Sequence, residues 1–116
     1  MVLTNSVACC CRYMRINYQG TLNVINACKK HGVGKLVMSS SPSTRFTGAD
    51  IDGLSEDDLP DIPMKKYLQA YAGSKAAGEL ACREACSDEL LTVAVAPHQV
   101  CVWTASSEQV GCIDFV

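Results

Sequence analysis

The sequence predicts an α/β fold, a part of an open, doubly wound parallel sheet. Two short apolar runs, residues 35–38 and 90–96, read as buried strands. An alanine-rich segment from about residue 64 to 86 lies between them and has helical composition. Two apolar strands that are joined through a helix should be parallel neighbours with a right-handed crossover.

The chain before the first strand divides into two parts. Residues 1–15 show no clear period and predict neither a strand nor a helix. A helical period begins at Asn17, and Gly32 is a natural end for that helix. The apolar positions that carry the period are Tyr18, Leu22, Ile25 and Cys28.

Residues 42–63 predict a long loop, because prolines and glycines recur through them. Six acidic residues lie between Asp50 and Asp61, and we interpret them as a solvated loop rather than a metal site. In the helix that follows, Gly73 and Gly78 lower helical propensity. Close approach of a ligand or of another helix is one reason for a glycine there.

Composition excludes several classes of protein. The chain has 116 residues, enough for one domain, and 48% of them are hydrophobic. A net charge of −2 argues against nucleic-acid binding, and no apolar run is long enough to span a membrane. The eight cysteines include no Cys-x-x-Cys pair, so no metal site is predicted. A cytoplasmic, reducing location is the default expectation.

The chemistry points to Tyr71 and Lys75, which a helix would place on one face. A nearby cation favours the phenolate of a tyrosine, whose free pKa is about 10, and makes it a usable acid/base. The pair alone could arise by chance. However, Ser39–Ser41 and Pro97–Val100 follow the two strands, at the edge of a parallel sheet where ligands bind.

Three stretches together resemble the extended short-chain dehydrogenase/reductases: Asn17–Val24, Lys35–Ser41 and Tyr71-x-x-x-Lys75. The acidic loop and Ala96-Pro97-His98 are most similar to the 3β-hydroxysteroid dehydrogenase/isomerase branch, which includes the sterol-4α-carboxylate 3-dehydrogenases. UDP-sugar 4-epimerases and dihydroflavonol reductases share much of the pattern. The resemblance covers roughly residues 16–100.

The resemblance implies roles for particular residues. Tyr71 would be the catalytic acid/base, Lys75 would favour its ionised form, and Ser41 would orient the substrate oxygen. Asn17 would assist a water-mediated proton relay. The cofactor would be NAD or NADP, and its implied binding residues are Ser39, Tyr71, Lys75, Pro97 and Val100. The substrate class would be a 3β-hydroxysterol or steroid.

The resemblance also implies domain limits. Residues 16–100 would form the middle portion of a Rossmann-like NAD(P)-binding domain, flanked by an atypical N-terminal segment, 1–15, and an atypical tail, 101–116. The family's Gly-x-x-Gly-x-x-Gly turn, which holds the pyrophosphate, has no counterpart here. We therefore expect a chain truncated at both ends, in which Val37 and Val93 are poorly buried.

Other functions stay open at this point. A truncated chain could be a non-catalytic remnant that binds a partner protein through its uncovered sheet, or a sugar-nucleotide epimerase. Relatives often pair through the helix that carries the tyrosine, so a homodimer is expected there, with Cys82 and Cys86 facing the partner. The location would be cytoplasmic, with association to the endoplasmic reticulum in full-length relatives.

Overall fold

Residues 7–30 are helical throughout. The computed structural model describes residues 10–49 and 53–97 in full, and the backbone of 7–9, 100–102 and 111–113. Helix α1 (Val7–Tyr13) continues through a π-helical turn (Met14–Gln19) into α2 (Gly20–Lys30). The chain then forms β1 (Lys35–Ser39), α3 (Ala70–Glu84) and β2 (Leu91–Val95).

Helix α1 was not predicted, because its residues have no amphipathic period. Contacts with a distant part of the chain accompany it. The ring of Tyr13 meets the ring of Tyr71 edge to face, with 5.7 Å between the ring centroids. Such aromatic pairs stabilise a fold beyond the apolar area that they bury. Residues 1–6 lie outside the described part of the chain.

Strands β1 and β2 pair in parallel, as predicted. In the register, Lys35 faces Leu91, Val37 faces Val93 and Ser39 faces Val95. The amide of Ser40 donates to the carbonyl of Val95 at 2.7 Å, which continues the pairing past the end of β1. The segments after both strands therefore begin at the same edge of the sheet.

One face of the sheet is covered and the other is open. Leu36 and Met38 point to the covered face and are half-buried, whereas 68% of Val37 and 52% of Val93 are exposed. Helices cover the first face, with a core of Ile25, Cys28, Ala85 and Leu90. The expected poor burial of Val37 and Val93 is confirmed. Parallel strands are usually covered on both faces, so the open face is unusual for a sheet of this type.

The predicted loop contains two single 3₁₀ turns, Pro42–Thr44 and Glu56–Asp58. The amide and hydroxyl of Ser55 donate to the carboxylate of Asp58, at 2.9 and 2.6 Å, and these bonds lower the pKa of Asp58. The three acids of the second turn are exposed, as in a solvated loop. Residues 50–52, which carry two of the six acids, lie outside the described ranges.

Helix α3 begins at Ala70, later than the predicted start near residue 64. Gln69 has an extended backbone, with φ −137° and ψ 147°, and so precedes the first turn. Upstream, the amide of Met64 donates to the hydroxyl of Tyr67 at 2.9 Å. The Tyr67 ring lies 3.3 Å from where a Cβ at Gly73 would be. The segment before the helix thus packs on its first turns through the Tyr67 ring.

After β2 the chain forms a second, two-stranded sheet that was not predicted. Strand β3 (Val100–Val102) pairs antiparallel with β4 (Gly111–Ile113). Most of the predicted tail lies outside the described residues, which do not include 98–99, 103–110 and 114–116.

Gly78 allows the π-helical turn to approach α3. A Cβ at this position would lie 2.5 Å from the backbone oxygen of Asn17 and 3.1 Å from Cε of Met38. Because the nearest atom belongs to the backbone, Gly78→Ala is expected to push the two helices apart and to lower the free energy of unfolding by about 1–3 kcal/mol.

Urea unfolding of Gly78→Ala beside Gly34→Ala measures this effect. A Cβ at Gly34 would meet nothing within 4 Å, and Gly34 has no positive φ, so that variant is expected to change stability by less than ~1 kcal/mol. Equal stability of the two variants would contradict the close approach at Gly78.

Candidate active site

Helix α3 carries the two residues that the sequence singled out, Tyr71 and Lys75, one turn apart on one face. The ammonium of Lys75 donates to the backbone oxygen of Ser39 at 2.6 Å. Ser39 is the last residue of β1. The predicted neighbourhood of the helix and the carboxyl end of this strand is therefore present, with Lys75 as the direct connection.

The environment of Lys75 is only partly polar. Its side chain is half-buried, and this burial lowers the pKa of the ammonium, while the negative charge of Glu79 opposes part of the shift. An ammonium has three N–H donors. Among the described residues one of them is used, on Ser39, which leaves two for oxygen atoms of a ligand.

Ser41 is held at the start of the 3₁₀ turn. Its hydroxyl oxygen accepts from the amide of Ser43 at 3.3 Å and lies 2.8 Å from the hydroxyl oxygen of Ser43. Either hydroxyl can be the donor in the second contact. When Ser43 donates, the proton of Ser41 is free to bind a substrate oxygen, which is the role implied for Ser41.

Tyr71 is half-buried, and its ring contacts Tyr13. Within the described residues, no hydrogen bond joins the Tyr71 hydroxyl to the side chains of Ser41 or Lys75. The structure thus places Tyr71 and Lys75 on one helix and Ser41 on the neighbouring loop, without a direct bond between these three side chains.

Asn17 is joined to the same helix through Ser74. The amide nitrogen of Asn17 donates to the Ser74 hydroxyl at 2.9 Å, and that hydroxyl donates to the backbone oxygen of Tyr71 at 2.7 Å. Asn17 lies in the π-helical turn, a feature that often occurs at functional sites. The polar chain connects Asn17 to the first turn of α3, where Tyr71 lies.

Sequence reasoning missed two buried polar residues, Ser74 and Glu79, which are 1% and 5% exposed. Both lie on α3, where their sequence positions look like ordinary helix surface. Apart from the bond of Ser74 to the Tyr71 backbone, their partners come from segments 34 to 57 residues away in the chain. No local sequence signal predicts those distant contacts, although Ser74 lies between Tyr71 and Lys75 in the sequence.

The remaining predicted residues lie near the same sheet edge or beyond what is described. Pro97 follows β2 and is exposed. Val100 begins β3, and only its backbone is described. Residues 98 and 99, whose backbone was expected beside the cofactor, lie outside the described part of the chain.

The described residues fit one end of a nicotinamide dinucleotide. Lys75 has two unused N–H donors for ribose hydroxyls, and Tyr71 lies one turn before it. The glycines with positive φ in the described ranges are Gly32, Gly48 and Gly53, and none of them opens an α-helix. Residues 10–49 and 53–97 therefore offer N–H donors of the kind that ribose hydroxyls bind, without a glycine-rich turn of the kind that holds a pyrophosphate.

The expected homodimer would place Cys82 and Cys86 at its interface, and the two differ in exposure. Cys82 is fully buried, and burial raises the pKa of its thiol, whereas Cys86 is exposed. The prediction that both cysteines face a partner is wrong for Cys82, because its side chain is fully buried within the chain. The backbone at Cys82 also faces the sheet, since the hydroxyl of Thr92 of β2 donates to the Cys82 backbone oxygen at 2.7 Å.

The described residues contain no group of three His, Cys, Asp or Glu side chains arranged to hold a metal ion. None of their helices has the length and apolar character needed to cross a membrane.

The chain is similar to known dehydrogenases and reductases. A sterol-4-alpha-carboxylate 3-dehydrogenase (decarboxylating) of Homo sapiens is 41% identical over 90 residues, covering 76% of this chain and 23% of the relative. Its Schizosaccharomyces pombe counterpart is 38% identical over 84 residues, covering 72% and 24%. A 2-alkyl-3-oxoalkanoate reductase of Stenotrophomonas maltophilia is 37% identical over 99 residues, covering 84% and 28%.

The chain spans about a quarter of the length of these relatives. The model of the 3-beta hydroxysteroid dehydrogenase/isomerase family matches residues 4–106, which is most of the chain. The two parallel strands, the crossover through α3 and the Tyr71–Lys75 helix agree with a partial Rossmann-like domain. The chain therefore belongs to the 3-beta hydroxysteroid dehydrogenase/isomerase family.

Proposed function

We propose that this chain carries the catalytic part of an NAD(P)-dependent oxidoreductase that acts on the CH–OH group of a 3β-hydroxysterol. One observation carries the proposal: Tyr71 lies one turn before Lys75 on α3, and Lys75 donates to the backbone oxygen of Ser39, the last residue of β1, at 2.6 Å. Ligands of open α/β sheets bind beyond the carboxyl ends of the strands. The names of the relatives support a sterol as the substrate class.

In this proposal each side chain has a separate task. Ser41 donates its hydroxyl proton to the substrate oxygen, while Ser43 donates to Ser41. Tyr71 takes the proton of the substrate alcohol as general base. Lys75 binds ribose hydroxyls and stabilises the negative charge on the Tyr71 oxygen. A bound nicotinamide supplies the acceptor for the hydride that leaves the carbinol carbon, and the alcohol becomes a ketone.

Sugar-nucleotide epimerisation would use the same tyrosine and serine. The relatives described above are named as dehydrogenases and reductases, which favours net oxidation or reduction of the substrate. The choice between NAD and NADP is part of the test, because the glycine-rich turn that precedes the discriminating residue has no counterpart in the sequence.

The test is turnover of a 3β-hydroxysterol, with and without a 4α-carboxylate, by the purified chain with NAD or NADP. Reduced nicotinamide is followed by its absorbance, and the 3-ketone by mass spectrometry. We expect ketone and reduced cofactor in equal amounts. Epimerisation of a UDP-sugar without net reduced cofactor would favour the epimerase, and a folded chain that does neither would contradict the proposal.

The family resemblance also leads us to propose that two copies pair along α3. On that helix Arg83 and Glu84 are exposed, and Cys86 just beyond it is exposed as well. Sedimentation velocity of the wild-type chain and of Cys86→Arg tests the pairing. A dimer that the substitution dissociates would support it, and a monomer at all concentrations would contradict it.

A further inference from the structure

Glu79 is a buried carboxylate with three partners from one loop. It lies on α3 and is 5% exposed. The hydroxyl of Ser40 donates to Oε2 in a short hydrogen bond, and the hydroxyl of Thr44 lies 3.4 Å from the same oxygen. The guanidinium of Arg45 forms an ion pair with Oε1 at 3.4 Å. All three partners lie within residues 40–45, the segment that follows β1.

A buried charge needs such partners, because its transfer out of water is costly. The partners lie on both sides of Ser41: Ser40 precedes it, and Thr44 and Arg45 follow. Ser41 itself is tied to this loop, since its carbonyl accepts from the amide of Thr44 at 3.1 Å and from the Thr44 hydroxyl at 2.8 Å. Whatever holds the ends of the loop therefore also holds Ser41.

Lys75 supplies a second attachment one turn earlier on α3, through its bond to Ser39. Tyr71, Lys75 and Glu79 follow one another at intervals of four and share one side of the helix. The end of β1 is thus attached to the helix that carries Tyr71 through Lys75, and the loop that follows, which carries Ser41, is attached to the same helix through Glu79. Two attachments to one helix restrict the movement of this segment relative to Tyr71 more than one attachment would.

We propose that Glu79 is a positioning residue, whose carboxylate fixes Ser41 relative to Tyr71 without contacting the substrate. The catalytic consequence of this inference rests on the proposed dehydrogenase function, whereas the attachment of the loop does not. Glutamine at position 79 has nearly the same shape but cannot neutralise Arg45. Glu79→Gln should therefore loosen the loop and leave the packing of α3 in place.

Hydrogen exchange tests the attachment directly. The amides of Thr44, Arg45 and Phe46 donate within the 3₁₀ turn and report on the loop, whereas the amide of Ala85 reports on α3. In Glu79→Gln we expect the three loop amides to exchange about tenfold faster or more, with Ala85 little changed. Glu84→Gln is the matched control, because Glu84 is exposed on the same helix, and it should change neither.

Kinetics test the positioning role. We expect kcat with a 3β-hydroxysterol to fall about tenfold in Glu79→Gln, with a smaller change in the Kd of the cofactor, since Lys75 and Tyr71 keep their side chains and Lys75 loses only the nearby charge of Glu79. Glu79→Asp, which retains the charge, should restore part of kcat. Ser40→Ala removes one partner only, and it replaces Glu79→Gln if that variant fails to fold.

The outcomes are distinguishable. Unchanged loop exchange, or equal acceleration in the loop and at Ala85, would overturn the inference and leave Glu79 with a role in stability only. Fast loop exchange with unchanged kcat would also overturn it. If the wild-type chain oxidises no alcohol, the proposed function fails, and the exchange comparison alone decides whether Glu79 holds Ser41 in place.

Discussion

Replacing Tyr71 with phenylalanine is expected to lower kcat for 3β-hydroxysterol oxidation by about 10²–10⁴-fold, the usual contribution of a general acid/base. Phenylalanine keeps the ring, so the edge-to-face contact with Tyr13 at 5.7 Å should be retained. Only the hydroxyl is lost. Steady-state kinetics, with circular dichroism to monitor folding, measure the effect.

Tyr67→Phe is the matched control. The Tyr67 hydroxyl accepts from the amide of Met64, so its loss should cost about 0.5–1.5 kcal/mol of stability and leave kcat unchanged. We thus expect one tyrosine to matter for turnover and the other for stability. If Tyr71→Phe retained wild-type kcat, Tyr71 would have no part in the reaction.

Replacing Lys75 with methionine is expected to lower kcat/KM by about 10²–10³-fold, as for loss of a charged group that stabilises a developing anion. Methionine fills a similar volume without the charge. The half-buried ammonium and its bond to Ser39 would be lost together. Lys65→Met, at an exposed loop position, is the control and should leave kcat/KM unchanged.

The stability of Lys75→Met should differ from the wild type in a pH-dependent way. Burial lowers the pKa of Lys75, so the folded chain holds this proton less tightly than the unfolded chain. The free energy of unfolding of the wild type, relative to the variant, should therefore rise as pH increases from the lowered pKa towards the ordinary lysine value of about 10.4. A constant difference across that window would show that Lys75 is not desolvated.

The sequence predicted the part of the fold that depends on local signals. The runs that became β1 and β2 are short, apolar and bounded by glycine or proline, and α3 is rich in alanine. Helix α1 escaped prediction, because its contacts with α3 come from residues far away in the chain, as Tyr13 and Tyr71 illustrate. Tertiary contacts of this kind leave no period in the sequence.

The residues of the candidate site also divide into those with a local sequence signal and those that depend on tertiary contacts. Tyr71 and Lys75 could be identified because their spacing needs only a helix, and the serines at the end of β1 because strand ends are recognisable. Glu79 could not, because a glutamate one turn after a lysine usually lies on a solvated helix face. Cys82 was expected at a surface and is fully buried. The prediction failed because α3 is rich in small residues, and these do not indicate which side of the helix meets β2.

If this segment contains the nicotinamide end of a dehydrogenase site, calorimetric titration with NAD and NADP should detect cofactor binding. We expect saturable binding of one cofactor, with a Kd of about 1 mM or less, and at least tenfold weaker binding by Lys75→Met. No binding of either cofactor to a wild-type chain with a folded circular-dichroism spectrum would contradict the presence of this site.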